Sequence, residues 1–372
     1  MTDTPADPLI AQIGENVDQL VTLDVMSYGV IGPLYRAGRA RQGGRPLCLQ
    51  AAERLRQALA PGRGAILTTG LIIPGHHPYG ETDGPIGTAV LARGLAYGLA
   101  ARVLVMTEAE LVAVNAALLR AAGLQVIAPE ALVGEDGRHR PVAAVIALPR
   151  DTEEAAALSR HWLAAIDAAC VVAIEKPGAN RLGVYHMVGG TDISAGVAKG
   201  HALFAAARAH GALTIGIGDR GNELGLGNLA AIVHDLLPFG RDCGCPCHGG
   251  VADETPADLA IPAVVSNWGA YGVVACLAAL LEQPALIQDA ALESELFAVA
   301  QRLGGVDGMS GRAERAADGV PEAVHRGLVR LLAEIYRARS VRTPSPFSTP
   351  LIRRRATPAA TAGQLDPGRL QA

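Results

Sequence analysis

Aromatic side chains are scarce in this 372-residue chain, with 4 Phe, 2 Trp and 7 Tyr against 44 Gly and 23 Pro. Stacking platforms for bases or sugars are therefore not expected. A site must instead be built from backbone turns and small polar groups. Positive charge is not in surplus either. Lys and Arg number 32 against 36 Asp and Glu, a formal net charge of −4, which argues against the basic face of a nucleic-acid binder. Cysteine is sparse as well. Cys48, Cys170 and Cys276 are scattered, and Cys243, Cys245 and Cys247 sit together, unlike a secreted disulfide framework. The opening segment, MTDTPADPLIAQIGENVDQL, lacks the basic and apolar regions of a presequence. The cytoplasm is the expected compartment. One long uncharged run, Leu259 to Leu281, is interrupted by Pro262, Ser266, Asn267, Gly269 and Gly272. It reads as strand, polar turn and helix, not as a membrane span.

Half of the residues are hydrophobic, enough for a sizeable core. Short apolar runs alternate with longer helical patterns. This is the mark of an α/β fold, with an open, mostly parallel sheet and helices on both faces in Rossmann-like layers. Strands are expected at Ala65–Thr69, Arg102–Thr107, Gln125–Ala128, Val142–Leu148, Cys170–Glu175, Leu213–Gly218 and Ala260–Ser266. Helices are expected at Leu47–Ala58, Gly87–Leu99, Ala109–Ala122, Thr152–Ala169, Gly200–His210, Asn222–Leu237 and Gly269–Leu281. Two more are expected near Leu286–Leu303 and Pro321–Arg339. Residues 1–341 read as one large domain, with room for two lobes. From Arg342 onward five prolines and the Arg353–Arg355 triplet suggest a disordered tail.

Ligands of open α/β sheets bind beyond the carboxyl ends of the strands, so the residues at each strand's carboxyl end are informative. After Ala65–Thr69 comes a loop with His76 and His77 that ends in Glu81, Thr82 and Asp83. After Cys170–Ile174 come Glu175, Lys176 and Arg181. After Leu213–Gly218 come Asp219, Arg220, Gly221, Asn222, Glu223 and Asn228. The last apolar run ends in Ser266 and Asn267. Thr82 or Asp83 could also cap the helix that starts near Pro85, which leaves Glu81 as the freer carboxylate. Asp219, Asn222 and Glu223 suit a hard cation or an ammonium group, or alternatively a helix cap.

Two local motifs compete with this picture. Gly216 to Gly221 fits the G-x-G-x-x-G dinucleotide fingerprint, although Asp219 and Glu223 would repel a diphosphate. Cys243, Cys245, Cys247 and His248 are dense in soft ligands, yet one-residue spacing is tighter than in ordinary zinc sites. A ligand from elsewhere could complete that set. No nucleophile elbow, P-loop lysine motif or H-E-x-x-H pair occurs.

The segments GETDGPIG (80–87), AIEKPG (173–178), TIGIGDRGNELGLGN (214–228), SNWGAYG (266–272) and VDG…ADGVP (306–321) together resemble one family. It is the D-glutamate cyclase-like C-terminal domain family, and the opening IGENVDQL…GVIGPLY…LCLQAAERL is similar to its start. Arg220 stands where the family pattern usually has a small Gly. The resemblance implies a lyase that interconverts D-glutamate and 5-oxo-D-proline plus water, acting on an acidic amino acid or its lactam. Animal members are two-part mitochondrial proteins with a hydro-lyase-type domain ahead of this one. The chemistry needs a general base for the amine and a general acid for the departing oxygen. Glu81, Asp83, Glu175, Asp219 and Glu223 are the candidates, with base and acid left unranked. Substrate carboxylates would call on Lys176, Arg181 or Arg220, or on the helix N-termini expected after Gly221 and Gly84. Thr82, Gly218, Gly221, Asn222, Asn228, Ser266 and Asn267 complete the candidate binding set. A divalent ion, Mn or Mg, is the candidate cofactor at Asp219 and Glu223. A nucleotide-cofactor enzyme using NAD or FAD, or a non-catalytic binder of an amino acid or metal, are the alternatives. No nucleic-acid or membrane partner is expected, and a homo-oligomer is left open.

Overall fold

The computed structural model describes residues 7–73 and 76–337. The tail expected from residue 342 lies outside them. Seven strands form one sheet: β1 (Gly64–Thr69), β2 (Arg102–Thr107), β3 (Gln125–Val126), β4 (Val142–Ala147), β5 (Ala168–Ile174), β6 (Leu213–Gly218) and β7 (Leu259–Pro262). A small antiparallel hairpin pairs β8 (Ala316–Ala317) with β9 (Val320–Pro321). The first six helices are α1 (Pro8–Val21), α2 (Ile31–Arg41), α3 (Leu47–Ala58), α4 (Pro85–Leu99), α5 (Val112–Ala121) and α6 (Pro129–Leu132). The remainder are α7 (Thr152–Ala165), α8 (Gly200–His210), α9 (Ala230–Leu236), α10 (Ser266–Leu281), α11 (Ala290–Arg302) and α12 (Glu322–Arg337).

All neighbouring strands of the large sheet run parallel, in the order β3-β4-β2-β1-β5-β6-β7. Its central strands are apolar without alternation because both faces are covered. Ala65 and Leu67 of β1 join a core with α1, α3, α4 and α10, while Ile66 between them joins one with α7 and α8. Helices therefore lie on both faces, as expected. The uncharged run divides as anticipated into β7 and the buried helix α10. Among the described residues no helix is long and apolar enough to cross a membrane.

The strand order has one consequence for function. The sheet starts at β1, adds β2 beside it, then the edge strand β3 with β4 filling the place between β3 and β2, and the chain returns to lay β5 against the other side of β1. Thr69 at the end of β1 pairs with Ile174 at the end of β5. This is the topological switch point, where loops diverge and leave a crevice. The loops bearing Glu81, Glu175 and Asp219 leave β1, β5 and β6, three adjacent strands, and Ser266 comes after β7 beside them.

One expected element is not there. Residues 222–229 are not the start of a helix. They form an extended loop and a 3₁₀ turn (Gly227–Leu229), and α9 begins only at Ala230. Two contacts explain this. The segment pairs with the loop after β5 through Gly178 N–H to Asn222 O (2.8 Å) and Leu224 N–H to Lys176 O (2.7 Å). Gly225 takes φ +92° and lies against Gly216 of β6, where a side chain would collide.

Candidate active site

The loops bring together at the switch-point crevice four of the five carboxylates expected there, Glu81, Glu175, Asp219 and Glu223, and add Asp318, while Asp83 lines neither cavity. Glu81, Glu175, Glu223 and Asp318 line a cavity of about 70 Å³ together with Arg220 and Asn222. Asp219 lines an adjoining cavity of about 280 Å³, which shares Val188, Arg220 and Met309 with the first. Carboxylate oxygens of Glu175, Asp219 and Glu223 lie within 4.8 Å of one another. Glu223 accepts the backbone N–H of Gly221 at 2.7 Å and that of Arg220 at 3.2 Å. Ser266 Oγ donates to Glu175 at 2.5 Å. Glu175 holds φ +46°, a left-handed conformation unusual for a residue with a side chain, of the kind that concentrates at functional sites.

Asp318 is not singled out by the sequence, although its segment, ADGVP, is among those that carry the family resemblance. An Asp-Gly pair is first of all a turn signal, and here it makes one. Asp318 and Gly319 both have positive φ at the tip of the β8–β9 hairpin. Thr82 anchors this segment over the end of β1. Its N–H donates to Val306 O (2.9 Å) and its hydroxyl to Ala316 O (2.5 Å). Arg220 then bridges Asp219 (3.0 Å) and Asp318 (3.2 Å). Thr82 is thus a fully buried anchor, not a group free to meet a ligand.

Asp83 and Asn267 form a reciprocal pair of caps. Asp83 does not cap its own following helix, whose N-cap is Gly84. It accepts the N–H groups of Ser266 (2.9 Å) and Asn267 (2.8 Å) at the start of α10. Asn267 Oδ1 in turn accepts those of Gly84 (3.0 Å) and Gly87 (2.6 Å) at the start of α4. The two helix N-termini therefore satisfy their free donors with each other's side chains. Neither the Gly84 end nor the Gly221 N–H, held by Glu223, is open to a substrate carboxylate. The missing helix at 222–229 also removes the anion-binding terminus that the G-x-G-x-x-G fingerprint requires.

Other candidates lie away from the cluster. Lys176 is fully buried and pairs with Glu108, and its ammonium also donates to Gly70 O (3.2 Å). Arg181 is exposed and reaches toward His248 O. Asn228 donates to Ala257 O at 2.7 Å. His77 is tucked into a turn, its N–H on Ile73 O (2.8 Å), and His76 is exposed beside it. His248 is exposed and pairs with Asp242 (3.1 Å), so it does not join the cysteines. Its place beside Cys243, Cys245 and Cys247 is taken by His186. No short spacing marks His186 in the sequence.

Burial and crowding push the acids toward their neutral forms. Desolvation raises Glu81 well above the usual carboxylate range, and Asp318, Asp83 and Asp219 add to it. Glu175, Asp219 and Asp318 shift upward for the same first reason. Asp83 is pushed up to about 7 by desolvation and by Asp318. Glu223 is raised by burial but held back by hydrogen bonds from Asp219 and Gly221. Asp219 Oδ1 is buried with no hydrogen-bond partner among the described residues. An orphaned carboxylate oxygen among two other carboxylates fits a hard divalent cation.

The buried acids make stability depend on pH. In the unfolded chain they titrate near 4. In the folded chain Asp83 holds its proton to about pH 7, and burial shifts its neighbours upward from the ordinary carboxylate range as well. Their contribution to stability is full below the unfolded pKa and is lost as pH rises through the folded one. The melting temperature in chelator is expected to fall between about pH 5 and pH 8, and Mg²⁺ or Mn²⁺ to restore it at the upper end. A melting temperature that climbs over this range in chelator contradicts the protonated cluster.

Comparison with known proteins gives two matches. A family model described as "D-glutamate cyclase-like, C-terminal" matches residues 36–333. A stretch of 108 residues is 34% identical to the human protein "D-glutamate cyclase, mitochondrial", covering 29% of this chain and 16% of the human one. The match thus spans about a sixth of that relative's length.

Proposed function

This chain belongs to the D-glutamate cyclase-like C-terminal family, and from that premise we propose that it interconverts D-glutamate and 5-oxo-D-proline at the carboxylate cluster. The observation that carries the reading is that Glu223 and Glu81, both raised by burial but only Glu223 held back by hydrogen bonds, line one cavity beside Arg220. Two such groups suit a base and an acid in one reaction.

In the forward direction the α-nitrogen of glutamate attacks its own γ-carboxyl carbon. A C–N bond forms and a C–O bond breaks. The ammonium gives up two protons in all, and the departing oxygen takes both and leaves as water. Glu223, whose hydrogen bonds favour its charged form, is the base for the nitrogen. Glu81, kept neutral by burial and neighbouring acids, is the donor to the oxygen. Arg220, which also bridges Asp219 and Asp318, is the cation among the residues lining the two cavities and so the partner for the substrate's α-carboxylate. The two cavities, about 280 and 70 Å³, together just pass the lower end of small-molecule sites, about 300 Å³. Mg²⁺ or Mn²⁺ held by Glu175 and Asp219, with Glu223 left free as the base, would neutralise the γ-carboxylate and polarise its carbonyl. The loop geometry after β6 gives NAD or FAD no comparable support.

The test incubates purified protein with D-glutamate, L-glutamate and each 5-oxoproline enantiomer, with Mg²⁺, Mn²⁺ or chelator. Product is resolved by chiral chromatography. Interconversion of the D-pair is expected. Folded protein inactive on every substrate and with every ion would sink the reading.

A further inference from the structure

We propose that His186, Cys243, Cys245 and Cys247 bind one structural zinc ion. The inference does not depend on the cyclase reading. The four ligand atoms lie within 4.8 Å of one another. Cys243 Sγ is 3.1 Å from Cys245 Sγ and 3.4 Å from Cys247 Sγ. His186 Nε2 is 3.3 Å from Cys245 Sγ and 3.6 Å from Cys247 Sγ. All these separations are too long for a disulfide, whose sulfurs sit about 2.05 Å apart. They approach the edges of a tetrahedron with zinc at its centre, about 3.6–3.8 Å for sulfur and nitrogen ligands.

Local structure explains how so tight a spacing works. Gly244 adopts φ +71° between the first two cysteines, which lets the chain fold back where a side chain would be strained. Three cysteines two residues apart can then face one point. The fourth position, which they cannot fill, is supplied from the loop after β5. The sulfurs also receive N–H groups. Cys247 N–H points at Cys245 Sγ (3.4 Å), and Gly249 N–H (3.3 Å) and Asn180 Nδ2 (3.5 Å) at Cys247 Sγ. Such donors favour thiolates, the form that binds metal. Three soft thiolates and an imidazole select zinc over magnesium or manganese. Four protein ligands close the tetrahedron, so the ion is structural and not catalytic.

The position gives the ion a role. His186 is buried and directly precedes Met187 and Val188, which line the acidic cavity. Its carbonyl accepts Asn222 Nδ2 (3.2 Å), also at the cavity wall. The zinc therefore ties the loop after β5 to the cysteine loop and fixes one wall of the carboxylate site.

The experiment measures metal in the full chain by plasma mass spectrometry and by cobalt substitution. One zinc per chain is expected, with cobalt giving tetrahedral ligand-field bands and a thiolate charge-transfer band. His186→Ala and Cys245→Ser should lose the ion, whereas His248→Ala and Glu223→Gln keep it. Since the first two variants could fail to fold, the wild type is also titrated with a thiol reagent before and after chelation. Three further thiols should become reactive. Absence of both zinc and the charge-transfer band, a disulfide within the cluster, or loss of zinc in His248→Ala would each overturn the assignment.

Discussion

Glu223→Gln is expected to lower the interconversion of D-glutamate and 5-oxo-D-proline by about 10²–10⁴-fold, the usual worth of a positioned general base. The amide cannot take a proton, while its oxygen can still accept the Gly221 N–H that Glu223 accepts. The loss should fall on kcat/KM as a whole, because the base acts on the reacting nitrogen. A second signature separates a base from a merely structural group. The wild-type rate should rise with pH through the titration of Glu223, which burial places above the ordinary carboxylate value. In the variant that limb disappears. Steady-state rates across pH, with circular dichroism to confirm folding, decide the matter. A rate near that of the wild type removes Glu223 from the mechanism and moves the base to Asp219 or Glu175.

Lys176→Met is expected to cost about 3–5 kcal/mol of folding stability, the usual effect of removing one partner of a buried ion pair. Lys176 and Glu108 are both fully buried and paired with each other. Glu108 also accepts the N–H of Ala198 (3.0 Å), so its carboxylate cannot simply turn to water. Without the ammonium, a charge is left in the interior with partial compensation. The double variant Lys176→Met/Glu108→Gln should recover part of the loss, because no charge is then stranded. Urea denaturation of the single and double variants measures both effects. The alternative is a lysine that binds substrate, which predicts a raised KM with stability unchanged. That outcome would place the ammonium at the cavity and contradict its pairing with Glu108.

Lys176 also shows why part of the site is not legible in the sequence. It stands directly after Glu175, at the end of a strand, where a cation for an acidic substrate is expected. At this left-handed step of the chain, Glu175 points into the crevice and Lys176 into the core. Asp83 is a similar case. Its role as a helix cap is legible, but the helix it caps is α10, more than 180 residues away. His186, in a long loop, carries no local signature, and Asp318 carries only that of an ordinary Asp-Gly turn.

The amino-acid sequence by itself determined the α/β class, the seven strands of the large sheet, most helices but not α1, α2 or α6, and four loops loaded with acids, amides and glycine. These arise from apolar runs, periodicity and turn chemistry, which are properties of neighbouring residues. The tertiary structure decided which of those loops meet. Parallel strands sit about 4.8 Å apart in the sheet, and their order is set by how whole layers pack. The order places the ends of β1, β5 and β6 together. Pairing between loops, not helix propensity, settled residues 222–229 as extended chain. Through-space contact between distant segments also made one site of Glu81, Glu175, Asp219, Glu223 and Asp318, and another of His186 and three cysteines.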